Sequence, residues 1–441
     1  MEIVIKILQF VAALSLLVLV HELGHFLFAK LFKCRVEKFY IFFNPWFTPF
    51  KFKIGETEYG IGWLPLGGYC KIAGMVDESM DTDSLKEPPK SYEFRSKPAW
   101  QRLFIMVGGV LMNIILAIVV YTGMSMHWGD AYHATEDINN AYGFEFSELG
   151  RQVGFQNGDK VISVDGRQIE NSAEINYALL LDGVENVRVE RAGQIVDVPM
   201  YPQYIASMLS AEEVFVRPLN PLIVEGIVPG GGADAARLQP GDRLLTLNGE
   251  PVSHNNNLIP RHPGETVELA VARDSAGVTR TLTLPVAVSD EGMLGIELAQ
   301  IALPVSAKTY GFFEAIPQGF KRAKTEVGKY LKQIKLIFTP QTEAYKQVGG
   351  IIAIGRIFPG QWDWYFFWNI TAMLSIMLAV VNLLPIPGLD GGHVLFVLYE
   401  MITRRKPSDK FMEAATWVGL IFILFLLIYA NGSDVVRLFN K

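Results

Sequence analysis

The sequence predicts an α-helical membrane bundle of four transmembrane helices, with a small β-rich loop after the first and a pair of small β-rich domains inserted between the second and third. Three observations carry that class. Half of the 441 residues are apolar and only 19% are charged, the balance of a membrane protein with a soluble part. Apolar stretches that suit membrane spans occur near the N-terminus, over residues 100–126, over 366–384 and, shorter, over 416–430. The polar middle contains an internal repeat whose paired aspartates, Asp159 and Asp242, are 83 residues apart. A net charge of −6 gives no signal for nucleic acid, and two cysteines, Cys34 and Cys70, make no disulfide framework.

The first element, residues 1–33, is too long and too poor in positive charge for a cleaved signal peptide and is expected to stay as a spanning helix. It carries His21-Glu22-Leu23-Gly24-His25. Histidines four apart project from one helix face and can share a metal ion. Glu22 is offset by one residue, so it is poorly placed as a ligand but well placed as a general base toward a water on that metal. From Ile3 to the motif the only charge is Lys6, and the next after Glu22 is Lys30. Three titratable groups in so apolar a run mark a functional site, because ordinary core histidines would all need buried partners there. Further along the helix, where a metzincin would place glycine and histidine, stand Phe28 and Leu31, so a third ligand must come from elsewhere.

Residues 34–99 form the loop. Segments 51–54, 58–63 and 68–72 read as short strands separated by Gly55-Glu56-Thr57 and Pro65-Leu66-Gly67-Gly68. One reading is a cytoplasmic hairpin; the other is an edge strand that pairs with an extended substrate. The acidic stretch 77–92 reads as a solvated loop. The second span, 100–127, places Gly108-Gly109 for close helix packing and Asn113 for a helix–helix hydrogen bond.

In the insert, residues 154–166 align with 237–249: each copy has a Gly-Asp turn, an alternating apolar strand and an Asp/Asn-Gly hairpin turn. A period of about 80 residues suits one small domain per copy. With the lead-in Val228-Pro229-Gly230-Gly231-Gly232-Ala233-Asp234, the pair resembles tandem PDZ domains, over 128–215 and 216–302. Such domains take a peptide as an added strand, and an occluding role is the equal alternative.

Residues 303–365 read as a basic amphipathic linker, open to interruption at Pro317, followed by an aromatic interfacial segment. The third membrane segment, 366–403, breaks at Pro385-Ile386-Pro387-Gly388 just before Asp390 and two glycines. Freed backbone groups at that depth must line a cavity or be covered. Asp390 is therefore the candidate third zinc ligand, with Asn382 upstream to hold a substrate carbonyl. His393 is read as capping or packing, since a fourth protein ligand would close the position that water needs. The fourth span covers 411–433.

Lys and Arg concentrate between Lys30 and Arg102 and around Arg404, Arg405, Lys406 and Lys410. The positive-inside rule puts both connections in the cytoplasm and leaves the insert and both termini outside. Asp390 and the His21/His25 pair then fall at the cytoplasmic ends of their spans.

On His21-Glu22-Leu23-Gly24-His25, Glu58-Tyr59, residues 65–69 and residues 382–392, together with the insert, the chain resembles the site-2 intramembrane zinc metalloproteases, and among them the bacterial RseP-like enzymes of regulated proteolysis with tandem PDZ domains. The resemblance implies Zn2+ on His21, His25 and Asp390, Glu22 as catalytic base and Asn382 in substrate binding. It further implies that the strands from Tyr59 to Tyr69 form a membrane-associated β-loop, with Tyr59, Gly60, Gly62, Gly67 and Gly68 receiving the substrate. The implied activity is hydrolysis of peptide bonds in the membrane segments of single-span proteins, anti-sigma factors or signal-peptide remnants, by a monomer in the bacterial inner membrane during a stress response. Met377 stands where relatives often carry a second asparagine, and Val348-Gly349-Gly350-Ile351 replaces a Pro-Gly element. The competing class is a non-enzymatic PDZ membrane scaffold with a vestigial zinc motif, against which the intact Glu22 counts.

Overall fold

A computed structural model describes residues 1–65, 67–75, 88–211, 214–252, 259–275 and 278–439. Most of the acidic stretch expected as a solvated loop, residues 77–87 of 77–92, lies outside them. The chain divides into two compact units: Met1–Asp130 with Lys308–Thr339 and Ala344–Lys441, and Ala131–Ala307 with Pro340–Glu343.

In the first unit, α1 (Glu2–Leu31) is followed by four short strands, β1 (Val36–Tyr40), β2 (Phe50–Ile54), β3 (Thr57–Ile61) and β4 (Tyr69–Ile72). They form one sheet in the order β2-β3-β1-β4. β1 runs parallel to β3, with Phe39 opposite Tyr59, and antiparallel to β4, with Phe39 opposite Cys70. The sequence reading had no strand at 36–40. Its Glu37-Lys38 pair hides the apolar pattern, yet the strand is central, with Val36, Phe39 and Tyr40 buried. The edges are β2, exposed throughout, and β4. The Tyr40 hydroxyl donates to Glu58 Oε1 at 2.7 Å, and that bond is the main reason the Glu58 carboxyl lies below its ordinary pKa.

α2 (Ala99–His127) starts directly after Pro98, whose fixed backbone suits a helix entry. It touches α1 where Gly24 meets Gly108; a Cβ on Gly108 would come within 2.7 Å of the Gly24 carbonyl oxygen. α3 (Phe312–Ile337) continues through Pro317 without interruption. The proline lies near the start of the helix, where its missing N–H deprives only the Phe313 carbonyl. The short α4 (Ile351–Ile357) begins at Gly349-Gly350, and Asp434 accepts from the backbone N–H of Gly350 and Ala353 at 3.0 and 2.9 Å. That is the role of Val348-Gly349-Gly350-Ile351: a helix start capped from a distant helix.

α5 (Trp364–Leu383) is capped by Asp363, which accepts from the Phe366 N–H at 3.0 Å. It stops before Pro385, because the residue preceding a proline is driven to extended backbone. α6 (Asp390–Thr403) starts afresh after a turn in which Gly388 adopts φ +98°. α7 (Asp409–Phe439) is longer at both ends than the expected 411–433. Among the described residues α1, α2, α5 and α7 are the four helices long and apolar enough to cross a membrane.

The second unit holds the repeat, each copy with its own apolar core: Phe144, Phe155, Val164 and Val187 in the first, Val224, Leu247, Leu269 and Val286 in the second. The two copies share the bonds of the Gly-Asp turn. Asp159 accepts from the Gln156 N–H at 2.8 Å and pairs with Arg191; Asp242 accepts from the Gln239 N–H at 2.8 Å and pairs with Arg273. These buried carboxylates tie turn to strand in both copies. The turn residues Asp165 and Asn248 both have positive φ, which short polar side chains tolerate. Strand Val216–Pro218 pairs with Phe144–Phe146, so the first copy continues past the expected boundary at 215.

Candidate metal centre

The centre is built where α1, α2, α6 and the end of α5 meet. His21 and His25 lie one turn apart on α1, both buried, and their Nε2 atoms are 3.3 Å apart. Asp390, the first residue of α6, brings Oδ2 to 3.1 Å from His21 Nε2 and 3.3 Å from His25 Nε2. Three acceptor-capable atoms thus form a near-equilateral triangle, and Asp390 Oδ2 is buried with no hydrogen-bond donor. Tetrahedral ligands at zinc distances of about 2.0–2.1 Å lie about 3.3–3.4 Å apart, so the triangle has the size of one face of a zinc tetrahedron. Converging lone pairs without protons between them would repel; a divalent cation removes that conflict. The residues therefore fit the metal.

Two supports hold the triangle. His25 Nδ1 stands 2.9 Å from the Ile105 carbonyl on α2, which can accept its N–H and so leaves Nε2 as a free lone pair. Arg102 of α2, buried, donates to Glu400 of α6 at 2.5 Å and to the Lys97 carbonyl at 3.0 Å, so the helix that begins with Asp390 is pinned to α2. Gly109 completes the packing: a Cβ there would lie 2.5 Å from His25 Nε2 and 2.6 Å from His21 Cε1.

A cavity of about 830 Å³ opens at this point, and its walls include Glu22, Gly68, Asn382 and Asp390. Glu22 lies against Gly68, where a Cβ would come within 3.2 Å of Glu22 Cγ. Asn382, at the end of α5, has Nδ2 3.2 Å from His21 Nε2. The whole of β4, Tyr69–Ile72, lines the cavity, so the edge strand that borders the centre is β4. Tyr59, Gly60, Gly62 and Gly67 are not among its lining residues. Tyr59 stacks on Phe52, and Gly60 packs under the Tyr40 ring, on the far side of β1 from β4. Their placement follows from the central strand that the sequence reading lacked. Met377 faces away as well, packing with Ala13, Leu17 and Phe367 between α1 and α5. His393 lines the cavity and meets the Phe396 ring edge-on at 6.3 Å.

Apolar helices around two histidines, an aspartate and a neighbouring glutamate define a membrane-embedded metallopeptidase. The chain belongs to peptidase family M50, whose model matches residues 9–426. It is a zinc metalloprotease that acts within the membrane. Among its relatives are a candidate zinc metalloprotease of Xylella fastidiosa, 27% identical over 97% of both chains, and protease RseP of Yersinia pestis, 26% identical over 99% of this chain and 100% of that one. A third is the regulator of sigma E protease of Haemophilus influenzae, 24% identical over 98% of each.

Proposed function

We propose that His21, His25 and Asp390 hold the zinc ion, that Glu22 is the general base and acid, and that Asn382 and β4 position a substrate strand. The single observation that carries this reading is the convergence of His21 Nε2, His25 Nε2 and Asp390 Oδ2 within 3.1–3.3 Å. Zinc, when bound, supplies Lewis-acid polarisation of the scissile carbonyl and of the attacking water. Glu22 takes a proton from that water and delivers it to the leaving amide nitrogen. Asn382 offers its amide N–H to the substrate carbonyl. A helical substrate hides its carbonyls in its own hydrogen bonds, and β4, which runs along the cavity wall, compensates those bonds as the substrate unwinds beside Glu22.

The substrates on this reading are single-span membrane proteins of the bacterial inner membrane, an anti-sigma factor or signal-peptide remnants in a stress response. Charge distribution supports cytoplasmic placement of the loop 34–99, with the insert and both termini outside. The two repeats are a pair of PDZ domains that exclude substrates whose outer domain has not been trimmed. The insert repeats its buried Asp–Arg tie in both copies, as tandem domains do.

The test is zinc content together with cleavage of a model single-span substrate by wild type and Glu22→Gln. The variant should keep its zinc and lose roughly 10²–10⁴-fold in rate. Equal cleavage by both would remove Glu22 from the chemistry.

A further inference from the structure

The hydrogen bonding around His21 assigns work to a residue outside the ligand set. Asn113 of α2 is fully buried, and its amide nitrogen stands 3.2 Å from His21 Nδ1, while its Oδ1 has no hydrogen-bond partner. His21 presents Nε2 to Asp390 at 3.1 Å. A neutral imidazole whose Nε2 is to serve as a ligand carries its proton on Nδ1. That N–H would face the amide NH2, a donor against a donor. A half-turn of the amide exchanges nitrogen and oxygen without changing its shape. It brings the partnerless oxygen onto the Nδ1–H, which gives that oxygen a donor and the imidazole proton an acceptor. The backbone at this position is itself held, since Ser375 Oγ of α5 donates to the Asn113 carbonyl at 2.8 Å. His25 has the equivalent arrangement, with the Ile105 carbonyl in the amide's place.

We propose that Asn113 is the positioning residue of His21: it accepts the Nδ1–H, fixes the tautomer and ring orientation, and so commits Nε2 to the metal. α2 would then orient both imidazoles of α1, one through a backbone carbonyl and one through a side chain. The inference rests on the reading of His21 as a zinc ligand.

The experiment is a zinc affinity measurement on the purified full-length protein, by competition with a chelator of known affinity. Wild type is compared with Asn113→Leu, Asn113→Asp and His21→Ala. Asn113→Leu, similar in volume but without an acceptor, should weaken zinc binding by about 10–100-fold. Asn113→Asp keeps the acceptor and should stay closer to wild type than the leucine variant. A role in helix packing alone gives the opposite order, because a buried carboxylate is costlier there than leucine. Wild-type affinity in Asn113→Leu, or tighter zinc in Asn113→Leu than in Asn113→Asp, overturns the proposal. Should the leucine variant not fold, Asn113→Ala repeats the test, with the same loss expected and unchanged affinity overturning it. His21→Ala separates the two readings. If it loses zinc while Asn113→Leu does not, only the positioning role fails; if it keeps wild-type affinity, the ligand reading fails and takes the positioning role with it.

Discussion

Gly109 has no side chain because the imidazoles of His21 and His25 fill the space one would need. A Cβ at 2.5 Å from His25 Nε2 cannot be absorbed by a flexible neighbour, since Ile105 and Asn113, four residues either side on α2, hold both rings. Gly109→Ala should therefore overpack the centre at a cost of roughly 1–3 kcal/mol and displace the rings. The expected readout is zinc retention in the purified protein, reduced at least about tenfold, with the helical circular dichroism unchanged. Full retention would show that the rings have room to move. At this scale the two histidines and Glu22 were legible because their geometry is local: four residues along a helix bring two side chains to one face. Asp390 was legible more indirectly, as a carboxylate next to a broken helix. Asn113 was read as a helix–helix hydrogen bond, which it makes. That its partner is the outer nitrogen of His21 depends on how α2 is rotated against α1, which one asparagine does not reveal.

At the scale of elements, the strand order decides which residues border the cavity. Glycine-rich segments 58–63 and 65–69 stood out in the sequence, yet β1 pairs between β3 and β4 and leaves β4 on the cavity. Strand pairing across a polar-looking segment such as Val36-Glu37-Lys38-Phe39-Tyr40 follows from burial of its apolar positions, which local pattern does not expose. The insert offers a parallel case. In the first repeat the Val216 carbonyl accepts from Asn176 Nδ2 at 2.6 Å, and the Val216 N–H donates to Asn176 Oδ1 at 3.1 Å. A side-chain amide from helix Ala173–Leu181 thus takes the backbone groups that a peptide strand would need at that edge. Asn176→Ala should free them. Amide exchange at Val216, followed by mass spectrometry, is expected to accelerate about fivefold to tenfold, the worth of one hydrogen bond of about 1 kcal/mol. Unaltered exchange would mean that this edge is protected by something else.

For the whole molecule, the chain divides into a membrane unit with the centre and an insert with two apolar cores, and the proposed function gives the insert a screening role. If the insert screens substrates by size, replacing residues 131–307 with a short Gly/Ser linker should leave peptide-bond hydrolysis intact. It should also allow cleavage of single-span proteins whose outer domains are untrimmed. Membrane proteins that disappear in cells carrying this variant, compared with cells carrying the same variant with Glu22→Gln, provide the measurement. Selectivity identical to the intact enzyme would count against screening. The repeat was visible at this scale because glycine-aspartate turns recur at a fixed spacing, and turn chemistry is local.

The sequence by itself determined the number of spanning helices, the paired imidazoles with their neighbouring glutamate, the helix break before Asp390 and the duplicated insert. Each of these rests on apolar runs, a helical or strand period, or proline and glycine at particular backbone positions, and all act over a few residues. Tertiary structure alone decided that Asp390 closes a triangle with two histidines more than 360 residues away, that β4 borders the cavity, and that α2 supplies the outer contacts of both rings. Those facts depend on how helices and strands pack, where glycines at Gly24, Gly108 and Gly109 set the approach and distant side chains compete for the same buried space.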